Sequence, residues 1–578
     1  MITKMKKYTF LVLASAYEQF LSQLREAGVV HVSIKAEGLA EDADLQESIR
    51  QYDQISHTLK QGAPDQLIDE HNAVLSKMEQ TRQEIKRMQV WGDFSAKQLA
   101  DLKDAGYTLY YYSCPAKQFS DELGIRVNEA QGRVYFVSVN EPLDNELCNV
   151  ETLSDKCAAD LEKDLDALKG LEVAAKTRID VWAQTNIEDL KKQLTELQQR
   201  IDWQRVTLST DSAAEGALKQ LEGFCPVDNC EALEAMLESE SVYYIAEDPT
   251  EEDDTPIKLR NNWFTKLFEP LTGMYGWPDY FEFDPTPILA PFYLLFFSLC
   301  MGDAGYGILL IALGLLIHYN KLKIEMFEGL GPIITALGVG TLVVGFFLGT
   351  AFGMDLSTLM PDISYLFLKG QIAGYDVAMV LAIAIGVFHI CLAMVVKAIC
   401  YTKRYGFRAQ IGTWGWTLLI VGGISAFIIC LALSVPMNVT KIVLIVIAAI
   451  SALGIFPFNT PGRNPLINVG AGLWDTYNMA TGILGDTLSY IRLYALGLAG
   501  GMLGGAFNDL GLMIMGGSTA GATWQWIPFI LILLIGHVLN LAMSALGAFV
   551  HPLRLTFVEY FKNSGYNGKG TLYQPFKK

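Results

Sequence analysis

The sequence has no surplus of positive charge, no phosphate-binding loop and no paired Cys/His cluster, and each absence removes a class of function. Lysine and arginine number 44 against 62 aspartates and glutamates, a formal net charge of −18, whereas a nucleic-acid surface needs a basic footprint. No GxxxxGK[ST] segment occurs, so the chain has no loop of that kind to cradle the phosphates of ATP. The nine cysteines suggest neither disulfides nor zinc. Cys300, Cys391, Cys400 and Cys430 fall in apolar runs, where the thiol behaves as a small hydrophobe. Cys225 and Cys230 lack a second Cys/His pair at metal-ligand spacing. No metal, cofactor or nucleotide site is expected.

What is present is unevenly spread. The 578 residues suffice for two or three domains. Up to about residue 285 the chain is charged, acidic and helical in pattern. Beyond it lie long apolar segments, several exceeding the roughly 20 residues that cross a bilayer. A soluble domain is therefore fused to a polytopic membrane domain. The acidic runs Glu41 to Glu47 and Glu247 to Asp254 read as solvated connections. The start, MITKMKKYTFLVLASA, imitates a secretory signal. The reading taken is instead a buried strand, Tyr8 to Leu13, then a helix, Tyr17 to Ala27, then a strand, Val29 to Ile34, completing a β-α-β unit.

In the soluble half, Leu45, Ile49, Tyr52, Ile55 and Leu59 recur at steps of three and four, as do Val74, Met78, Ile85 and Met88. A second seam contains Leu161, Leu165, Leu168 and Leu171, then Ile187, Leu190, Leu194, Leu197 and Ile201. Between them, Tyr107 to Tyr112 and Arg133 to Val139 read as strands. The arrangement expected for residues 1–265 is a cytoplasmic arm. Its proximal α/β lobe joins 1–40 to 207–265, antiparallel coiled-coil arms span 45–98 and 150–205, and a distal α/β lobe occupies 100–148. An ordinary helical bundle has the same periodicity. Residues 266–286 form a linker.

Apolar blocks occupy about 287–319, 330–353, 376–400, 411–433, 439–457, 471–508 and 523–562. The loop with Lys403, Arg404 and Arg408, preceded by Lys397, is assigned to the cytoplasm, as is the loop with Lys321 and Lys323. The acidic loop Met354 to Asp376 then lies outside. A cytoplasmic soluble domain requires the first block to cross an even number of times. Gly302, Asp303, Gly305 and Gly307 offer a place to break it into a short hairpin, 287–301 and 305–319; a glycine-kinked single helix is the alternative. The fold expected is thus an α-helical polytopic membrane domain, 287–562, of eight helices. Its last two are long, about 38 and 40 residues or roughly 57 and 60 Å, and tilted. A cytoplasmic tail, 563–578, follows, with both termini cytoplasmic.

Arg492 sits near the middle of its apolar segment. An arginine at bilayer centre costs roughly 2.5–3.5 kcal/mol on insertion scales, which marks it as functional. Asp475 and Asp486 on the same helix are not three or four residues away, so pairing with them along the helix is poor. Gly482, Gly485, Ser489, Arg492, Ala499 and Ala506 form one broad stripe of mostly small residues that suits close approach of another membrane protein. On the last helix, His537, Asn540, Ser544, Gly547, His551 and Arg554 follow at spacings of 3, 4, 3, 4 and 3. That places them on one face, which must meet protein or water rather than lipid. It reads as the lining of an aqueous path, with a dry polar packing seam as the alternative.

With these residues in view, the chain resembles subunit a, also called subunit I, of V/A-type rotary ATPases. The stretches that carry the likeness are MKKYTFLVL, PIKLRNNWFTKLFEPLTGMYGWPDYFEFDPTP, FFSLCMGDAGYG, LSYIRLYALGLAG and FVHPLRLTFVEYF. The resemblance implies a multi-pass stator subunit of a bacterial or archaeal plasma membrane, with the ATP chemistry on other subunits. It implies half-channels divided by Arg492, with Arg554 beside it at the interface with a rotating ring of c/K subunits. The ion would be H⁺ or Na⁺. His551, Asn540, Ser544, Ser489 and His537 are relay candidates. Asp475, Asp486 and Glu559 are candidates for a cytoplasmic half-channel. Other partners implied are peripheral-stalk subunits of E/G type, a central-stalk cap of d/C type and the lipid bilayer. Two positions depart from the eukaryotic pattern: a histidine there is Gly500 here, and a glutamate there is Ser544. A secondary transporter with a regulatory arm is the alternative function, and it predicts an internal inverted repeat that the sequence does not display.

Overall fold

The computed structural model describes residues 2–34, 42–92, 94, 96–120, 123–130, 132–143, 148–154, 156–213, 217–240, 242–319, 329–458, 465–515 and 523–577. The chain divides into two compact units, one of Ile34–Asp211 and one of Met1–Ser33 with Ser212–Lys577. Glu41, Lys321 and Lys323 lie outside the described residues.

In the larger unit, strand β1 (Met5–Leu13) runs into helix α1 (Tyr17–Ala27) and the short strand β2 (His31–Val32). Alternation along β1 buries Tyr8, Phe10 and Val12, the period expected of a sheet covered on one face, and Met5 at its start is buried out of that phase. Helix α1 lays Tyr17, Phe20, Leu21 and Leu24 into the same core. Its end is set by Gly28 in the left-handed region at φ 59°.

The smaller unit begins with helix α2 (Ala43–Gln61), where the Asp42 side chain accepts from the Leu45 amide at 2.7 Å, an N-cap. Gly62 at φ 80° ends it, and Pro64 precedes helix α3 (Asp65–Met88). The seam expected over 45–98 is therefore two helices with a corner at 62–64, where neither residue sustains a helix. Helix α4 (Ala96–Asp104) leads to a sheet of β3 (Leu109–Pro115), β4 (Ile125–Ala130), β5 (Arg133–Val139) and β6 (Asn149–Glu151), ordered β4-β5-β3-β6. Tyr112, Cys114, Val134 and Phe136 are its buried core. Helix α5 (Ala158–Leu208) has 51 residues, about 77 Å at helical rise. It runs antiparallel to α3: Arg178 meets Glu70 at 3.1 Å, and Ala158 and Leu161 pack on Ile85 and Met88.

The larger unit resumes with β7 (Asp211–Ala213), β8 (Leu218–Pro226), helix α6 (Cys230–Ser239) and β9 (Tyr243–Glu247). The sheet order is β2-β8-β1-β9, with β7 also on β8. Strands β1 and β2 both pair antiparallel with β8, so they flank it instead of pairing with each other. Helix α7 (Trp263–Tyr275) precedes α8 (Thr286–Met301) and α9 (Ala304–His318), and α10 (Gly331–Leu348) packs on both. Two small hairpins follow, β10 (Thr350–Ala351) with β11 (Met354–Asp355) and β12 (Gln371–Ile372) with β13 (Tyr375–Asp376), around the single turn α11 (Leu356–Leu359). Then come α12 (Val377–Tyr405), α13 (Ile411–Thr417) continued through a π-turn into α14 (Gly423–Ala432), and α15 (Met437–Phe458).

The final helices differ from the expected pair. The run expected over 471–508 is two helices, α16 (Pro465–Ser489) and α17 (Ile491–Ile514), broken at Tyr490. The last run is α18 (Trp526–Arg554), a π-helical stretch Leu555–Tyr560, and α19 (Phe561–Ser564). Pro552 has no amide hydrogen to continue the ladder, and the wider π-turns begin three residues later.

Among the described residues, five helical runs are long and apolar enough to cross a membrane: Gly331–Leu348, Val377–Tyr405, Phe407–Ala432, Met437–Pro457 and Trp526–Ser564. Helices α8 and α9 are apolar but shorter. The segment after α19 returns to the first sheet. Ile257 donates to the Thr571 carbonyl, Tyr573 to Ile257 and Phe576 to Val30, each at 2.8 Å.

Candidate functional site

The entry to the apolar half is fixed by one carboxylate. Gly302 at φ 58° closes α8, and Asp303 caps α9. Its Oδ1 accepts from the amides of Gly305 (2.8 Å), Tyr306 (3.1 Å) and Phe352 (2.8 Å), and its Oδ2 from Gly353 (2.7 Å). At 1 % exposure, the charge is supported by four amide dipoles. Asp303 thus ties the α8–α9 corner to the β10–β11 hairpin. Gly305 leaves room for the Phe352 ring and Gly307 for the backbone of α10, so these glycines serve close packing.

Arg492 lies in the first turn of α17, two residues past the break, instead of mid-helix. At the break the bonding tightens to three-residue turns, Tyr490 N–H to the Thr487 carbonyl at 3.2 Å and Leu493 N–H to that of Tyr490 at 3.1 Å. Arg492 is half-buried. Its Nη1 is buried with no hydrogen-bond partner among the described residues. Ser489, just before the break, bonds back to the Gly485 carbonyl at 3.0 Å.

Helix α17 has two small-residue faces. Gly497 fits against the Leu299 carbonyl, Gly500 against Ser544 and Gly504 against Gly353. Ala499 and Ala506 are exposed, as is Gly485 on α16, so these three positions of the stripe are uncovered by this chain's described residues, while Gly482, Ser489 and Arg492 are half-buried.

The polar stripe of α18 is joined by direct hydrogen bonds at its N-terminal end. Ser544 Oγ donates to Asn540 Oδ1 (3.2 Å), and Asn540 Nδ2 donates to the Tyr306 hydroxyl (2.8 Å) and the Gly500 carbonyl (2.9 Å). The Tyr306 hydroxyl meets His537 Nδ1 at 2.8 Å, His537 Nε2 meets Asn508 Oδ1 at 3.1 Å, and Asn508 Nδ2 reaches the Phe352 carbonyl at 2.7 Å. The chain of groups runs from Ser544 to the hairpin that Asp303 anchors. Tyr306 and Asn508 were not among the residues picked from sequence. Tyr306 does occupy the third position after the Asp303 cap, where a side chain of α9 faces back over the corner.

Farther along, Gly547 lies open beside Leu496 and His551. His551 is half-buried, with its Nδ1 unpartnered among the described residues, and Arg554 is exposed. At the far end, Asp486 on α16 accepts from Asn563 Nδ2 at 2.8 Å and meets Lys562 at 3.7 Å. Glu559 is 2 % exposed and its Oε2 has no partner among the described residues. Asp475 is half-buried on α16.

A cavity of about 520 Å³ opens beside α17, lined by Gly302, Thr350, Asp355, Asp376, Tyr494 and Gly501 among others. The Tyr494 hydroxyl donates to Asp376 at 3.2 Å.

The model of the V-type ATPase 116kDa subunit family matches residues 141–343 and 475–578. Those segments contain Asp303, Arg492 and the whole α18 stripe. The chain is 26 % identical to the V-type ATP synthase subunit I of Borreliella burgdorferi over the full length of both. It is 30 % identical to the A-type ATP synthase subunit I of Methanocaldococcus jannaschii, over 77 % of this chain and 69 % of that one. Against the A-type ATP synthase subunit I of Pyrococcus abyssi the identity is 33 %, over 58 % of this chain and 49 % of that one, so about half of that longer protein is spanned.

Proposed function

The chain belongs to the V-type ATPase 116kDa subunit family, and from that premise we propose that it is the ion-translocating stator of a rotary ATPase. The observation that carries the reading is Arg492, a permanent cation in an apolar helix with one guanidinium nitrogen buried and unpartnered. An uncompensated, partly buried charge is expensive; Arg492 has no carboxylate partner among the described residues, and the open part of its half-buried guanidinium can meet one presented by another chain. The uncovered face of Gly485, Ala499 and Ala506 gives a c/K ring a smooth surface on which to approach.

In this reading an ion reaches a ring carboxylate through one half-channel and leaves through another. The outer path is the bonded series Asn508, His537, Tyr306, Asn540 and Ser544, with the cavity floored by Tyr494 beside it. The inner path ends at Glu559 and Asp486, with Asp475 farther out. Arg492 holds the passing carboxylate ionised, because guanidinium keeps its proton in proteins. Arg554, exposed on α18, meets the ring at the same level, and His551 lies between the two arginines and the seam. Eight membrane passes, with the hairpin α8–α9 as the first two, put both termini in the cytoplasm. The antiparallel helices of the smaller unit act as the coiled-coil arm that holds peripheral stalks, supplying the counterforce to torque, and a central-stalk cap completes the path to the catalytic subunits. Residues 1–265, 287–562 and 563–578 divide as arm, membrane domain and tail.

The test is ATP-driven ion uptake by the reconstituted complex. Arg492→Ala is expected to abolish uptake while the complex still assembles. Arg492→Lys, whose ammonium can lose its proton in an apolar site, is expected to impair coupling. Uptake at the wild-type level in Arg492→Ala would refute the reading.

A further inference from the structure

Arg492 takes its position from a break in the helix, yet the sequence at that break, Leu-Ser-Tyr-Ile-Arg, contains neither glycine nor proline. The cause lies on α12. Tyr490 is fully buried, and its ring stands where Gly386 has no side chain: a Cβ added there would come within 2.3 Å of Tyr490 Cγ. One turn on, His389 is also fully buried, and its Nδ1 meets the Tyr490 hydroxyl at 2.9 Å. The imidazole itself is clamped. It stacks on Tyr560 at 4.5 Å with 9° between planes and on Phe292 at 4.3 Å, and the Phe296 ring meets it edge-on at 5.2 Å. Tyr560 belongs to the π-helical stretch that follows Arg554. One histidine therefore touches the residue that breaks the arginine's helix and the stretch that follows the second arginine.

We propose that Gly386 and His389 are positioning residues for Arg492, seating Tyr490 so that the break, and with it the heading of the guanidinium, is fixed. This rests on the stator reading of Arg492. The geometric leverage is large. A residue wound at 3.0 per turn rotates all that follows by about 20° relative to one wound at 3.6. The two tightened turns meet at Tyr490, two residues before the arginine, whose long side chain magnifies the angle. Loss of the seat lets the break relax toward continuous helix. Arg492 then points away from the ring carboxylate's path for part of the time, and ions slip between half-channels.

The experiment uses the whole reconstituted complex with Tyr490→Phe, His389→Phe, their double variant, Gly386→Ala and Arg492→Ala. Ions moved per ATP, passive ion leak and thermal stability are measured together. Tyr490→Phe keeps the ring in the Gly386 notch, and His389→Phe keeps a ring in the stack, so both assemble. Each should lower the ion-to-ATP ratio by about fivefold, the scale of one hydrogen bond, and raise leak. The double variant should be no worse than either single, as expected for two partners of one bond. Gly386→Ala should be more severe; if it does not assemble, the ring-conserving variants decide. A wild-type ratio and leak in both ring-conserving variants, whatever their thermal stability, overturns the positioning role. Provided Arg492→Ala still abolishes uptake, the stator reading survives that outcome. Normal uptake by Arg492→Ala refutes the stator reading instead.

Discussion

Asp303 receives four backbone amides across a corner and a hairpin, three on Oδ1 and one on Oδ2. Asp303→Asn keeps the shape but turns one acceptor into a donor that faces an N–H group. With 1 % exposure and no solvent to take over, the expected cost is about 1–3 kcal/mol, read as a lower melting temperature of the purified complex; an unchanged midpoint would refute it. Gly500 and Ser544 are coupled at the same scale. A Cβ at Gly500 would lie 2.9 Å from Ser544 Oγ, so the two positions are packed against each other. Gly500→Ala should push Ser544 off Asn540 and lower stability. Adding Ser544→Gly should restore much of the loss, a non-additivity that a thermal-melt cycle would show.

Among elements, the two small hairpins after α10 answer to acid. Asp355 is held down to about 2, chiefly by the hydrogen bond from Lys369 and then by Ser357. Because that value lies below the ordinary carboxylate value of about 3.9, its contribution is complete above about pH 4. It disappears as pH falls toward 2. Protection of the amides over 350–376, taken relative to their intrinsic exchange rates, should therefore fall in that window, and Lys369→Met should weaken the acid dependence. The two helix breaks contrast in legibility. The break at Gly302 is visible in sequence because a glycine that tolerates positive φ stands beside an aspartate that can cap. The break at Tyr490 is not, because its cause, His389, lies 101 residues away. Apolar length alone identified the helices long enough to cross a membrane, and the 3-4 spacing put the α18 stripe on one face. Periodicity could not reveal that Tyr306 and Asn508 join that stripe, since each arrives from a different helix. In the smaller unit the seam's repeat hid the corner that Gly62 and Pro64 announce.

At the scale of the larger unit, the segment 570–577 straps the end of the membrane helices to the first strands. Tyr573 donates its hydroxyl to the Val29 carbonyl at 2.6 Å, and His31 Nδ1 lies 2.9 Å from the Gln574 carbonyl and 3.1 Å from the Gln574 amide. Burial holds the His31 imidazole below its ordinary value. A lowered folded value means that the stability it contributes is present above about pH 6.5. It is lost as pH falls through the folded value, because charging the buried imidazole costs desolvation that a bond from Nδ1 to the Gln574 carbonyl, 2.9 Å away, offsets only in part. Proteolytic accessibility of the strap should rise on acidification below about 6.5, and His31→Gln should flatten the change.

The strap also fixes an order of manufacture. A ribosome delivers β1 first, but β1 must wait for β8 and β9, more than two hundred residues later, and the lobe is not closed until residues 570–577 emerge behind every apolar helix. The strands themselves are paired once residue 247 has emerged, but the edge at Val30 and Ile257 stays uncovered while the membrane segments are inserted, the interval in which a chaperone or a protease has its access. Closure of the lobe then reports that the helices before it have been laid down.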